Sequence, residues 1–439
     1  MKLHRRILDD LRTWKESTDR KPLLLRGARQ TGKTWAVTEF GRTSYENVLR
    51  IDFMRDPQAK ALFDGPLNPH SLIDNLKIYT SQNVAQQDTL IFFDEVQECP
   101  KALTALKYFC EEAREYHVIA TGSYMGVSKH NNDSFPVGKV NMMTLHPLTF
   151  TEFLENTGQE QLSDMIRDGR FDSINAAFEP RLNDLLKTYM FTGGMPSAVV
   201  TRLAGGDWEQ VREEQRSILD SYDLDFSKHA PARIIERIRL AWGAIPSQLA
   251  KEHRKFIYGV VRPGARAREF EESLMWLGDY GITSRIPCVS ALKTPLAGYT
   301  DASAFKLFTV DVGLLGALAD ISASTILEGT NAFVEFKGSL AEQYVCQQLV
   351  SAGYSPYYWA NPNGRAEIDF ALEHQGLIYP IEVKSSTNVK AKSLRLAHDH
   401  FGTGKAIRFS LERFRQEDWV TNIALWGVDG FKAYLDSTR

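Results

Sequence analysis

The chain has 439 residues, 43% hydrophobic and 24% charged, a composition suited to a globular molecule of roughly two to four domains. A formal charge of -3 excludes the bulk positive field that would by itself predict nucleic-acid binding, so any such binding has to be local. The four cysteines, Cys99, Cys110, Cys288 and Cys346, lack C-x-x-C spacing and indicate neither a zinc site nor a disulfide scaffold.

The opening stretch, Met1 to Leu11, reads as a short amphipathic helix in which Asp9 and Asp10 interrupt the apolar run a secretory signal needs. No segment approaches about 18 uninterrupted apolar residues, so no membrane contact is expected and a cytoplasmic location is. Short apolar runs follow at Leu23-Leu24-Leu25, Val48 to Ile51, Leu90 to Phe93 and Val118 to Ala120, alternating with helical stretches. Runs of this kind are buried on both faces and predict a mainly parallel sheet wrapped by helices.

Between the first run and the next helix lies Gly27-Ala28-Arg29-Gln30-Thr31-Gly32-Lys33-Thr34, which fills every fixed position of G-x-x-x-x-G-K-[ST]. Phosphate needs closely packed donors; the glycines let backbone N–H groups turn inward, and the helix N-terminus adds favourable partial charge. Lys33 is expected to reach the β- and γ-phosphates of ATP, and the Thr34 hydroxyl to ligate Mg2+. The third run ends in Asp94-Glu95, where an open α/β sheet forms its binding crevice. Asp94 is expected to hold the metal and Glu95 to act as base towards the attacking water. Ser123, in Thr121-Gly122-Ser123, is the candidate sensor of the γ-phosphate. The alternative is an ordinary Gly-rich turn and a solvated acidic strand end.

Thr149-Phe150-Thr151-Glu152 fits a capping box, and the residues after it read as helices broken at Gly193-Gly194-Met195-Pro196, a helical lid. Three helical patterns between about 230 and 300, then a short strand from Ile282 to Ser290, suit a winged helix. Lys251, Arg254, Lys255, Arg262, Arg266 and Arg268 concentrate positive charge there, which would suit DNA phosphates. A solvated face diluted by Glu269, Glu271 and Glu272 is the alternative.

Nearer the C-terminus, alternation in Glu367-Ile368-Asp369-Phe370 and Ile381-Glu382-Val383-Lys384 puts charge on one strand face. If Gln375-Gly376 is a two-residue hairpin turn, Asp369 faces Glu382 and Glu367 faces Lys384, with Cβ atoms about 4.5 to 5.5 Å apart. Facing carboxylates suggest a second divalent cation between them. Glu342 shares a helix face with Val345, Cys346 and Leu349, and a buried carboxylate needs a partner. Glu342, Asp369 and Glu382 are thus candidate metal ligands, and Asp369, Glu382 and Lys384 candidates for metal-assisted hydrolysis of a phosphodiester. A solvated face with a Glu–Lys pair is the alternative.

Taken together, G-A-R-Q-T-G-K-T, F-F-D-E-V-Q, A-T-G-S, H-P-L-T-F-T-E-F, G-G-M-P, K-L-F-T-V-D-V-G-L-L, A-E-I-D-F and P-I-E-V-K-S-S resemble a family of prokaryotic AAA-type ATPases whose C-terminal domain of unknown function looks like the PD-(D/E)XK nucleases. The resemblance implies an α/β fold: a P-loop ATPase core with a parallel sheet (1–150), a helical lid (151–229), a winged-helix-like domain (230–305) and an α/β nuclease-like domain (306–439). It assigns Lys33 and Thr34 to nucleotide and magnesium, Asp94 and Glu95 to hydrolysis, and Asp369, Glu382 and Lys384 to the nuclease motif, here without the proline that usually precedes its first acid. The expected function is an ATPase whose nucleotide state controls a DNA-directed, nuclease-like domain. The alternative is a signalling or remodelling switch that binds nucleic acid or protein without cleavage. DNA, a protein partner and self-association are the candidate partners besides ATP.

Overall fold

The computed structural model describes residues 2–122, 136–250, 255–329, 334–361, 366–385 and 391–438. They form two compact units, one of residues 5–146 with 279–282, the other of 1–4, 147–278 and 283–439.

In the first unit α1 (Ile7–Glu16), β1 (Leu23–Arg26), α2 (Lys33–Ser44), β2 (Asn47–Asp52), α3 (Pro69–Thr80), β3 (Thr89–Asp94), α4 (Pro100–Glu112), β4 (His117–Gly122) and β5 (Asn141–Thr144) follow in order. The sheet runs β2-β3-β4-β1-β5 and every pairing is parallel. Alternate residues of the central strands feed two separate cores. Ile91, Phe93 and Leu24 pack with Leu72, Leu76, Leu106 and Phe109 of α3 and α4. Leu90, Phe92 and Leu25 pack with Leu11, Trp14, Val37 and Phe40 of α1 and α2. The four apolar runs thus become β1 to β4 as expected. The edge strand β5, half exposed along its four residues, has no comparable apolar run.

The second unit begins with α5 (Phe150–Asn156), closed by the expected capping box between Thr149 and Glu152. After it come α6 (Glu160–Arg167), α7 (Glu179–Thr192), α8 (Pro196–Leu203), α9 (Trp208–His229), α10 (Ile235–Gly243), α11 (Ile245–Leu249), α12 (Tyr258–Val261) and α13 (Ala267–Asp279). Next are β6 (Thr283–Val289), β7 (Thr300–Thr309), α14 (Val312–Leu318), α15 (Val334–Ser351), β8 (Tyr357–Ala360), β9 (Glu367–His374) and β10 (Leu377–Val383). The chain finishes through α16 (Lys392–Phe401), β11 (Ala406–Ser410), β12 (Arg415–Gln416), β13 (Val420–Ala424) and α17 (Phe431–Ser437).

Its eight-stranded mixed sheet has the order β12-β13-β11-β10-β9-β8-β6-β7. The strand read as a wing is therefore not free-standing: β6 pairs antiparallel with β7 and parallel with β8, at Cys288 to Tyr358 and Val289 to Trp359. Ile286, Val289, Phe305, Leu307 and Phe308 are buried, and that apolar surface is what draws the pair into the sheet. The boundary expected between 305 and 306 falls inside β7.

Two motifs from distant parts of the sequence meet at Asp311. Its carboxylate accepts the Gly194 N–H at 2.6 Å, caps α14 through the Leu314 N–H at 3.1 Å, and accepts from Gln347 Nε2 at 3.2 Å. Burial pushes its pKa up to about 6 against the pull of those donors.

Candidate functional site

The phosphate loop joins β1 to α2. A Cβ at Gly27 would clash with the Leu145 carbonyl oxygen, and Gly32 holds a φ of 93° at the helix N-cap, so both ends of the loop require glycine. The loop is tied from below by a buried arginine: Arg5 donates to the carbonyls of Thr31 at 3.1 Å and His146 at 2.7 Å. Thr31 Oγ1 donates to the Ala28 carbonyl at 2.8 Å. Lys33 is buried, and its Nζ lies over the loop's own carbonyls, 2.9 Å from Gly27 O and 2.8 Å from Ala28 O. Burial lowers its pKa to about 8, with Glu95 and Asp94 opposing the shift and Arg29 adding to it.

Register explains how Asp94 is held. β3 lies between β2 and β4, with Asp52 opposite Asp94 and Ala120 opposite Phe93, so Thr121 and Asp94 come side by side at the strand ends. Asp94 Oδ1 accepts from Thr34 Oγ1 at 3.1 Å and from Thr121 Oγ1. Its other oxygen takes Arg50 Nη2 at 2.6 Å, and the same nitrogen lies 3.0 Å from Asp52 Oδ2. Arg50 stands two residues before Asp52 and therefore on its face of β2. Glu95 follows with a φ of 54°, and its carboxylate accepts from Gln97 Nε2 at 2.5 Å. A glutamate in the left-handed region costs energy that surrounding structure has to hold, which turns it out of line with the strand.

The expected residues Gly27 to Thr34, Asp94 and Glu95 are thus brought together at the C-terminal ends of β1 and β3, whereas Ser123 lies outside the described residues. Arg5, Arg50, Thr121 and Gln97 were not foreseen. Thr121 had a usable signal, because strands in adjacent register place it beside Asp94. Hydroxyl and carboxylate oxygens at Thr34 and Asp94 are hard donors of the kind magnesium takes, and that ion needs only one or two protein ligands beside phosphate and water.

The C-terminal unit holds a second charged cluster. Gln375 and Gly376 have φ of 50° and 81°, the two positive values of a tight hairpin turn, and the ladder runs from Leu377 opposite His374 to Ile381 opposite Phe370. That is the register the sequence suggested. Asp369 Oδ2 accepts the Val383 N–H at 2.8 Å. The side-chain pairing differs from expectation: Lys384 lies just past β10 and binds Glu382 at 2.5 Å, whereas Glu367 binds Lys306 of β7 at 2.7 Å. Glu342 is buried, as its helix face implied, and it too faces Lys306, at 3.7 Å. Burial pushes the Glu382 carboxyl up, and Lys384 only partly offsets that.

Magnesium there would take one or two carboxylate oxygens at about 2.0 to 2.1 Å, with water filling the rest of its shell. Among the described residues no group of three acidic, histidine or cysteine side chains is arranged to hold a metal ion. Where a cation was expected at Glu342, Asp369 and Glu382, the ammonium of Lys306 stands by Glu342 and Asp369, and that of Lys384 by Glu382. Of the basic residues in the helical region, Lys255, Arg262, Arg266 and Arg268 are exposed, and Arg262 pairs with Glu269 at 3.3 Å. Lys251 and Arg254 lie outside the described residues. No helix among the described residues is long and apolar enough to cross a membrane.

Comparison with known proteins divides the chain in three. Residues 19–154 match the family model of an AAA domain, 183–325 that of a domain of unknown function (DUF8612) and 337–426 that of another (DUF4143). No curated protein matches. Among solved structures, a Walker-type ATPase of Pyrococcus abyssi is similar at 13% identity and a TM-score of 0.45, over 71% of this chain and 95% of that one. The ORC1 protein of Aeropyrum pernix in complex with DNA is 12% identical with a TM-score of 0.29, over 72% and 91% of the two chains. Drosophila ORC bound to DNA is 12% identical with a TM-score of 0.27, over 73% and 94%. The AAA match coincides with the parallel-sheet unit, which is an AAA-type P-loop domain of the ATPase kind.

Proposed function

We propose that this domain binds ATP with magnesium and hydrolyses it, and that its nucleotide state switches a C-terminal unit that engages a partner without cutting it. The observation that carries the ATPase reading is the arrest of Asp94 between Thr34, Thr121 and Arg50 at the strand end, one residue before Glu95. Bound magnesium, held by Thr34 and Asp94, would offset charge on the phosphates. Lys33 Nζ exchanges the Gly27 and Ala28 carbonyls for β- and γ-phosphate oxygens, an exchange of acceptors that needs no new donor. Glu95 leaves Gln97 and takes a proton from water as the water oxygen bonds to the γ-phosphorus. The bond to the β–γ bridging oxygen breaks, and ADP departs with its electron pair.

Magnesium-dependent phosphate release by the full chain tests this reading, with Lys33→Ala and Glu95→Gln as controls. Turnover is expected to fall by at least about 100-fold in both, and unchanged turnover in the pair would remove the ATPase. DNA is the partner class favoured for the second unit, because exposed Lys255, Arg266 and Arg268 gather on one short stretch. Binding of duplex DNA that weakens steeply with salt, and weakens again when the three are changed to glutamate, supports it. Binding of a protein alone would favour the remodelling switch. DNA cut by wild type and spared by Asp369→Ala would restore the nuclease reading.

A further inference from the structure

Lys306 opens the K-L-F-T-V-D-V-G-L-L stretch, where no role was expected of it, yet it is a fully enclosed cation with 0% of its surface exposed. Its Nζ lies 2.7 Å from Glu367 Oε1, 3.7 Å from Glu342 Oε2 and 4.0 Å from Asp369 Oδ1, and 4.9 Å from the ring centre of Tyr358. Three separate elements, α15, β9 and β8, therefore close around an ammonium carried by β7. A buried cation survives only among compensating anions, and buried carboxylates only beside a cation.

We infer that Lys306 is the resident cation of this acidic cluster, occupying the place of the divalent ion its carboxylates would otherwise recruit, so that the unit takes up neither magnesium nor manganese there. To bind a dication, the acids would have to leave the ammonium and close to about 2.0 to 2.6 Å around the new ion. The ammonium has no exposed path to water, since Lys306 is fully buried and paired with Glu367 at 2.7 Å. The second lysine closes the other flank: Glu382 Oε1 is 2.5 Å from Lys384, which leaves only Oε2, buried and without a hydrogen-bond partner among the described residues. One carboxylate oxygen is a poor site for an ion that takes six. The inference stands independently of ATP hydrolysis.

The test is manganese binding to the nucleotide-free full chain, followed through loss of the free-ion electron paramagnetic resonance signal. Wild type and Asp369→Asn are expected to bind the same amount, because any weak binding at Asp94 is common to both. Lys306→Met, checked for folding by circular dichroism, is expected to gain one ion per chain, and Lys306→Met with Asp369→Asn to lose it again. An ion bound by wild type and removed by Asp369→Asn overturns the inference, even where Lys306→Met fails to fold. A folded Lys306→Met that gains nothing also overturns it, because the acids would then not have been compensated by Lys306.

Discussion

Replacing Asp311 by asparagine isolates the cost of one buried charge. The carboxyl is fully enclosed, and its pKa of about 6 exceeds the ordinary 3.8 by about 2.2, which at 1.36 kcal/mol per pK unit makes the ionised form about 3 kcal/mol costly at neutral pH. The sign follows from proton binding. The folded state holds the proton more tightly than the unfolded chain, so this group stabilises the fold as pH falls from above 6 towards 4, and the stabilisation disappears as pH rises through 6. Between about pH 7.5 and 4.5 the change amounts to roughly 2 kcal/mol, because at the lower value the unfolded chain is still mostly ionised. The amide introduced by Asp311→Asn does not titrate, so the difference in stability between that variant and wild type cancels every other group. Six of the eight tryptophans, Trp208, Trp242, Trp276, Trp359, Trp419 and Trp426, lie in the same unit, and their fluorescence reports its urea unfolding. Relative to wild type, the variant is expected to lose about 2 kcal/mol as pH is lowered. A difference that stays flat within about 0.5 kcal/mol across that range would refute the claim that desolvation outweighs the Gly194, Leu314 and Gln347 donors.

His117 works in the opposite direction: burial, helped by Arg20 and Lys15, lowers its pKa to about 4, so the neutral ring stabilises the P-loop unit above about 6.5 and that contribution fades as pH falls towards 4. Slowed hydrogen exchange in β4 is expected to be lost in this window in wild type, and to depend less on pH in His117→Gln. Arg50→Met should lower ATP turnover by about 10- to 100-fold, as is usual when the partner of a metal-site carboxylate is lost, with a smaller effect on nucleotide affinity; equal losses in both would mean that Arg50 does not act through Asp94. Thr149→Ala should cost about 1 kcal/mol in the urea transition followed by tryptophan, through loss of the bond to the Glu152 N–H.

Local features of the fold were legible and pairings between distant strands were not. The phosphate loop, the Asp94-Glu95 strand end, the Thr149 capping box and the Gln375-Gly376 turn all depend on residues close in sequence, where glycine, capping side chains and apolar period speak directly. Arg50, Thr121 and Lys306 acquire their roles only through strand order. Arg50 looks like any polar residue on an edge strand until β2 is known to lie beside β3. Lys306 sits within an apolar run, and nothing in its neighbours says that Glu342 and Glu367 will arrive from α15 and β9. The Ile282 to Ser290 strand read as part of a wing for a related reason: β8, with which it pairs as β6, comes about 70 residues later, a separation that local pattern does not bridge.

Isothermal calorimetry with ATP on the folded full chain tests the central claim most directly. Wild type is expected to release heat at one site per chain with magnesium present, and Lys33→Ala to release little or none. No heat from the wild type with either adenine or guanine triphosphate would contradict the account, because a loop built to hold phosphate would then hold none.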